Sequence, residues 1–137
     1  MIHLKSRQEI EILRESNLIV HEVLTKLKSM CQPGITTLEL DRVAEDMTRK
    51  YRGRPAFKGY HGFPATLCTS INEEVVHGIP SKRVLREGDI LSIDYGICYR
   101  DYYGDAAVTV PIGKISEDLE FLLKTTQECL MLGIQQA

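Results

Sequence analysis

The sequence has no apolar run approaching the ~18 residues needed to cross a bilayer, and its start, Met1-Ile2-His3-Leu4-Lys5, lacks the long apolar stretch of an export signal. Cytoplasmic residence is the expectation. Charge of one sign is also lacking. Seventeen basic residues against nineteen acidic ones leave a net charge of −2, which gives no field favouring DNA or an anionic membrane. The four cysteines, Cys31, Cys68, Cys98 and Cys129, form no C-x-x-C pair. That spacing argues against a thiolate zinc knot or a redox dithiol and for reduced, mostly buried thiols. Tryptophan is absent and aromatic residues make up only 7% of the chain. No low-complexity tract or linker divides it, so residues 1–137 read as a single domain, long enough to bury about two-thirds of its unfolded surface.

What is present is ordered. Ser6-Arg7-Gln8-Glu9 has the capping-box form, in which hydroxyl and carboxylate satisfy backbone N–H groups reciprocally. Ile10, Leu13, Val20, Leu24 and Leu27 follow at helical spacing, widened by Leu18, Ile19 and Val23, and Pro33-Gly34 closes the helix. Thr36-Thr37-Leu38-Glu39 repeats the cap, and Leu40, Val43, Ala44 and Met47 define a second amphipathic helix ending before Gly53. A Gly- and Pro-punctuated loop, a short strand over Thr66–Ile71 and a turn at Asn72-Glu73 come next. Residues Lys82 to Gly88 read as a solvated connection. Ile90–Cys98 and Tyr102–Pro111 are strand-like, and Ser116 opens a third helix with Phe121, Leu122, Thr125, Cys129 and Leu132 along one side. The third helix resembles the start of a second helix–sheet unit.

The stretch from Ile90 to Val110 carries the chemistry. Leu91, Ile93, Tyr95 and Ile97 share one face of the first strand, leaving Ser92, Asp94 and Gly96 on the other. A fold-back about Tyr99-Arg100 sets Asp94 opposite Asp105. Directly opposed carboxylates ~5 Å apart repel by about 3 kcal/mol at an effective dielectric near 20. A shared proton, a basic neighbour or a metal cation would offset that. Bridging of divalent ions is the sharpest of the three readings; a different register would instead leave one aspartate in a turn or at a strand end. Further ligands would have to come from histidines or glutamates. His61 and His77 sit in Gly/Pro-flanked loops suited to function, whereas His3 and His21 lie near or on the first helix.

Gly59-Tyr60-His61-Gly62-Phe63-Pro64, the run from Ser70 to Pro80, and Asp94-Tyr95-Gly96 with Asp105 together resemble the N-terminal part of a type I methionine aminopeptidase. The resemblance covers essentially the whole chain. It implies an α/β (α+β) class, half of a pita-bread fold, with an antiparallel sheet packed on two to three helices, ending in the first helix of a second half. It also implies that Asp94 and Asp105 are metal ligands and that His77 contacts the scissile amide. Phe57, Tyr60, His61, Phe63 and Cys68 would line or border the pocket for the methionine side chain. Phe63 stands where some members have tyrosine. Two divalent ions (Co, Mn, Fe or Zn) complete such a site, whose chemistry is attack of a metal-bridging hydroxide on the first peptide bond of a nascent protein or peptide. The family's remaining ligands, one His and two Glu, and its general base lie beyond the stretch matched here. Alternatives to an aminopeptidase are a half-domain pairing with a second copy of itself, or a binding module touching peptides or a ribosomal surface through Lys50, Arg52, Arg54 and Lys58.

Overall fold

Both capping boxes form in the computed structural model, which describes residues 3–137. Met1 and Ile2, the start of the stretch read for an export signal, lie outside the described residues. The Ser6 hydroxyl accepts from the Glu9 N–H and the Glu9 carboxylate from the Ser6 N–H, starting α1 at Arg7–Met30. Thr36 and Glu39 do the same for α2, Thr37–Lys50. Helix α1 stops at Met30, ahead of Pro33-Gly34, and no helix among the described residues is long and apolar enough to cross a membrane.

Four strands follow: β1 (Arg54–Pro55), β2 (Leu67–Ile71), β3 (Ile90–Tyr99) and β4 (Tyr102–Pro111), with a short 3-10 turn at Tyr60–Gly62. All pairings are antiparallel. Strand β3 is central: β4 runs along one side for its full length, and β1 and β2 share the other. The two-residue β1, pairing Arg54 with Cys98 and Pro55 with Ile97, is an addition to the sequence expectation.

Helices α1 and α2 cover one face of this sheet. Val20, Val23 and Leu27 of α1 and Leu40 and Ala44 of α2 are buried against Leu91, Ile93, Tyr95 and Ile97 of β3, each large apolar side chain contributing roughly 1.5–3 kcal/mol. The Tyr95 hydroxyl is satisfied in this core because Thr48 meets it at 2.7 Å, whereas the buried Thr69 hydroxyl has no hydrogen-bond partner. Gly104 lets α1 approach β4 closely. A Cβ at that position would sit 2.7 Å from the Ser16 carbonyl.

The connection from Lys82 to Gly88 is not wholly solvated, contrary to expectation. Leu85 is buried in the core, its N–H donates to the Ile35 carbonyl at 2.8 Å, and its own carbonyl accepts from Gly34. Two apolar residues, Val84 and Leu85, among charged neighbours gave too weak a pattern to reveal this. Helix α3 (Glu117–Gln135), capped by Ser116, buries none of its residues.

Candidate metal and substrate site

The face of the sheet away from the helices gathers the polar residues of β3. Asp94 stands directly opposite Cys68 of β2, and Ser70 opposite Ser92. Across the other ladder, Asp94 faces Ala107 and Gly96 faces Asp105. The expected direct opposition of Asp94 and Asp105 is therefore corrected by two residues. The chain turns through Arg100-Asp101, both with positive φ (51° and 66°), a two-residue hairpin turn whose usual Asn-Gly signal is missing from the sequence. A shift of two preserves the side of the sheet. The aspartates become diagonal neighbours on one face, within reach of long side chains.

Asp105 lies near enough to act on the Asp94 carboxyl group. Burial pushes Asp94 up to about 6, and the charge and hydrogen bond of Asp105 add to that, while His77 pulls it back. Among the described residues no lysine or arginine pairs with either aspartate. Of the three ways to offset the repulsion, a basic ion-pair partner is thus not used. A proton shared in the metal-free chain and a cation in the loaded one remain, and oxygen donors of this kind suit hard or borderline divalent ions. The donor set fits such a metal but does not complete it: among the described residues no group of three or more His, Cys, Asp or Glu side chains converges.

His77 is held beside this face by its neighbour. The Gly78 carbonyl accepts from the Thr69 N–H at 2.7 Å and the Gly78 N–H donates to the Ser70 hydroxyl at 3.0 Å. A Cβ on Gly78 would lie 2.2 Å from the Thr69 carbonyl oxygen, so glycine is required, and His77 takes φ 60°. The Cys68 thiol is pushed up to about 11 by burial and then by Asp94 and Asp105. It is a neutral, soft wall rather than a nucleophile.

Phe57 lies over Gly96. A Cβ there would be 2.9 Å from the phenylalanine ring, and the Ala56 N–H donates to the Gly96 carbonyl. Phe57 and Cys68 therefore join the aspartate face. Tyr60 and His61 are both exposed, stacked edge to face with centroids 4.4 Å apart, and Phe63 is half-buried. Two surface clefts lie elsewhere, one along His21, Lys26 and Met47 and one between Arg83 and Asp89. Sequence reasoning passed over the close approach at Gly96 and the role of Asp41. The glycine inside a strand was the readable signal of close approach. Asp41 gave none, although its buried carboxylate accepts from the Thr66 and Leu67 N–H groups at 2.9 and 2.8 Å and sets the start of β2.

Metallopeptidase family M24 matches residues 11–137. The chain belongs to that family, in which divalent-metal dependence is general. It is similar to methionine aminopeptidase of Clostridium acetobutylicum, 54% identical over all of this chain and 55% of that protein. It is 48% identical to methionine aminopeptidase 1 of Bacillus subtilis, again over all of this chain and 55% of the relative. The crystal structure of methionine aminopeptidase from Thermotoga maritima matches with a TM-score of 0.96 at 39% identity, over 100% of this chain and 55% of that one. The fold is accordingly that of the pita-bread enzymes, and the chain spans about half the length of the curated relatives it matches.

Proposed function

We propose that residues 1–137 form the N-terminal half of a cytoplasmic methionine aminopeptidase site, acting on the N-terminal methionine of peptides or nascent proteins. The observation that carries this is the Asp94–Asp105 pair, two acids set diagonally on one face of the sheet with no basic ion-pair partner among the described residues. Asp94 and Asp105 would hold the divalent ions. When bound, such ions supply Lewis acidity at the peptide carbonyl and neutralise developing charge. His77, fixed by Gly78 on the edge of β2, would donate to or accept from the scissile amide and steady the reacting centre. Phe57 and Cys68 would take the thioether against an aromatic ring and a neutral thiol. Tyr60, His61 and Phe63 would border the mouth. A His, two Glu ligands and the general base would come from the part of the relatives that this chain does not span.

Calorimetric titration of Mn²⁺ or Co²⁺ into the chain tests the reading. Measurable but weak binding is expected, abolished by Asp94→Asn, with slow turnover of a methionyl peptide at best. Equal binding by the variant would refute it, and strong turnover would contradict the incomplete ligand set.

A second reading is favoured by α3, whose Phe121, Leu122, Leu130, Met131, Leu132 and Ile134 are all more than half exposed. Apolar surface of that extent promotes association, and two copies pairing through it would bring two carboxylate pairs into one assembly. Light scattering that gives a clean monomer ends this reading. Contact with a ribosome is the weaker option, since Arg54 already pairs with Asp101 and Lys58 with Glu45.

A further inference from the structure

Residues 57–65, which carry Phe57, Tyr60, His61 and Phe63, are bonded chiefly to one another. The Gly59 N–H donates to the Phe63 carbonyl at 2.8 Å, the Tyr60 N–H to Phe57 and the Phe63 N–H to Tyr60. Gly59, His61 and Gly62 take positive φ, which curls the segment into a closed turn. Its flanks are fixed to other elements. Ahead of it the Ala56 N–H donates to the Gly96 carbonyl at 2.9 Å, and behind it the Thr66 and Leu67 N–H groups donate to Asp41. Between those flanks, among the described residues, one hydrogen bond ties the segment to another element: Lys58 Nζ donates to the Glu45 carboxylate at 2.8 Å. Asp41 and Glu45 are four apart on α2, hence neighbours on one stripe of the helix. That stripe holds the segment near its start and again at its exit.

We infer that Glu45 and Lys58 are positioning residues whose pair sets where residues 57–65 stand over β3, and thereby the affinity for the side chain of a substrate's first residue. The inference rests on the reading of this segment as pocket wall and mouth given above. Phe57 is the covalent neighbour of Lys58, and its ring lies 2.9 Å from where a Cβ on Gly96 would be. Movement at Lys58 is therefore passed directly to the ring on the aspartate face. A pair with side chains 43% and 32% exposed contributes little to the stability of a fold. Its effect falls instead on the placement of a segment that, among the described residues, has no other hydrogen bond to a neighbouring element between its flanks. Lys58 carries the test, since Glu45 also meets Arg49, at 3.7 Å.

The test is calorimetry on the Mn²⁺-loaded chain with two ligands: methioninamide, and alaninamide, whose side chain is too short to fill the pocket. Lys58→Met should weaken methioninamide about threefold to fivefold and leave alaninamide, Mn²⁺ affinity and the urea midpoint unchanged. Lys58→Glu, which sets two carboxylates together, should weaken methioninamide further. Adding Glu45→Lys to that variant should restore the original affinity. A loss that the swapped pair does not recover would overturn the inference, because Lys58 would then act through its own charge and not through Glu45. Equal losses for both ligands, a parallel loss of Mn²⁺ affinity, or unchanged methioninamide binding in Lys58→Glu would overturn it while leaving the site intact. If the unaltered chain binds Mn²⁺ but does not prefer methioninamide to alaninamide, the reading of the pocket fails first and the inference with it.

Discussion

Asp105 stands opposite Gly96, two residues along β3 from Asp94 and on the same face. A side chain at position 96 would separate the two acids from the Phe57 ring packed above it. The glycine therefore does two things: it lets the phenylalanine descend onto the sheet, and it leaves the diagonal between the carboxylates open. The pair is held together by the ladder of the hairpin, and in the metal-free chain a proton shared between the acids offsets their repulsion.

That arrangement has a pH signature in the metal-free chain. Asp94 ionises near its ordinary value of about 4 when unfolded and at about 6 when folded. The folded state thus holds its proton more tightly, and stability on this account is fully present below about pH 4. It is lost as pH rises, completely so above about 6. Allowing for solvent screening at a half-open position, the loss should be about 1–2 kcal/mol. Urea denaturation at pH 4.5 and 7.5 should show it in the unaltered chain and not in Asp94→Asn. Parallel behaviour of the two proteins would mean that the carboxyl groups do not interact. Saturating Mn²⁺ at pH 7.5 should raise the midpoint of the unaltered chain only.

The boundaries of α2, β3 and β4 were legible because each is signalled locally. Thr36 and Glu39 mark a start, alternating Leu91, Ile93, Tyr95 and Ile97 mark a face, and Ser116 marks the next start. The side of the sheet on which Asp94 and Asp105 lie was legible for the same reason, since period two survives a shift of two. The register itself was not. Arg100 and Asp101 adopt positive φ without the residues that usually announce it, so the turn was placed one residue early. Burial of Leu85 and the role of Asp41 depend on partners some fifty and twenty-five residues away along the chain, and no local pattern encodes those.

The turn offers a stabilising substitution. Asp101 has φ 66°, where a Cβ is strained and glycine is not. Its ion pair with Arg54 is highly exposed and worth little. Asp101→Gly should therefore stabilise the chain by about 0.5–1 kcal/mol through relief of strain, net of the added freedom of the unfolded chain. Thermal denaturation with and without 0.5 M salt checks this: a loss of stability at low salt that vanishes at high salt would show that the ion pair matters more than the backbone.

Asp41 is the buried acid whose replacement should cost most. Burial raises its pKa while the Thr66 and Leu67 N–H groups oppose the shift. Asp41→Ala leaves both donors without a partner, at about 2–4 kcal/mol. Asp41→Asn keeps one carbonyl oxygen in place and should lose less than half of that. Hydrogen exchange at Thr66 and Leu67 should accelerate in the alanine variant. Unchanged protection there would show that the carboxylate does not anchor β2.

Gly78→Ala separates positioning of His77 from stability of the fold. The added Cβ would meet the Thr69 carbonyl at 2.2 Å, so the loop must lift off β2 and release both backbone bonds. The core lies on the other face and should hold, with a loss of about 1–3 kcal/mol confined to the 74–79 segment. The aspartates remain in the ladder, so Mn²⁺ affinity should fall little, whereas binding of methioninamide should weaken because the imidazole is no longer fixed. Nuclear magnetic resonance of the His77 side chain on addition of methioninamide reads this directly: a strong shift in the unaltered chain and a weak one in the variant. Equal shifts would place His77 outside the contact with the first residue, and its role would then have to be reassigned.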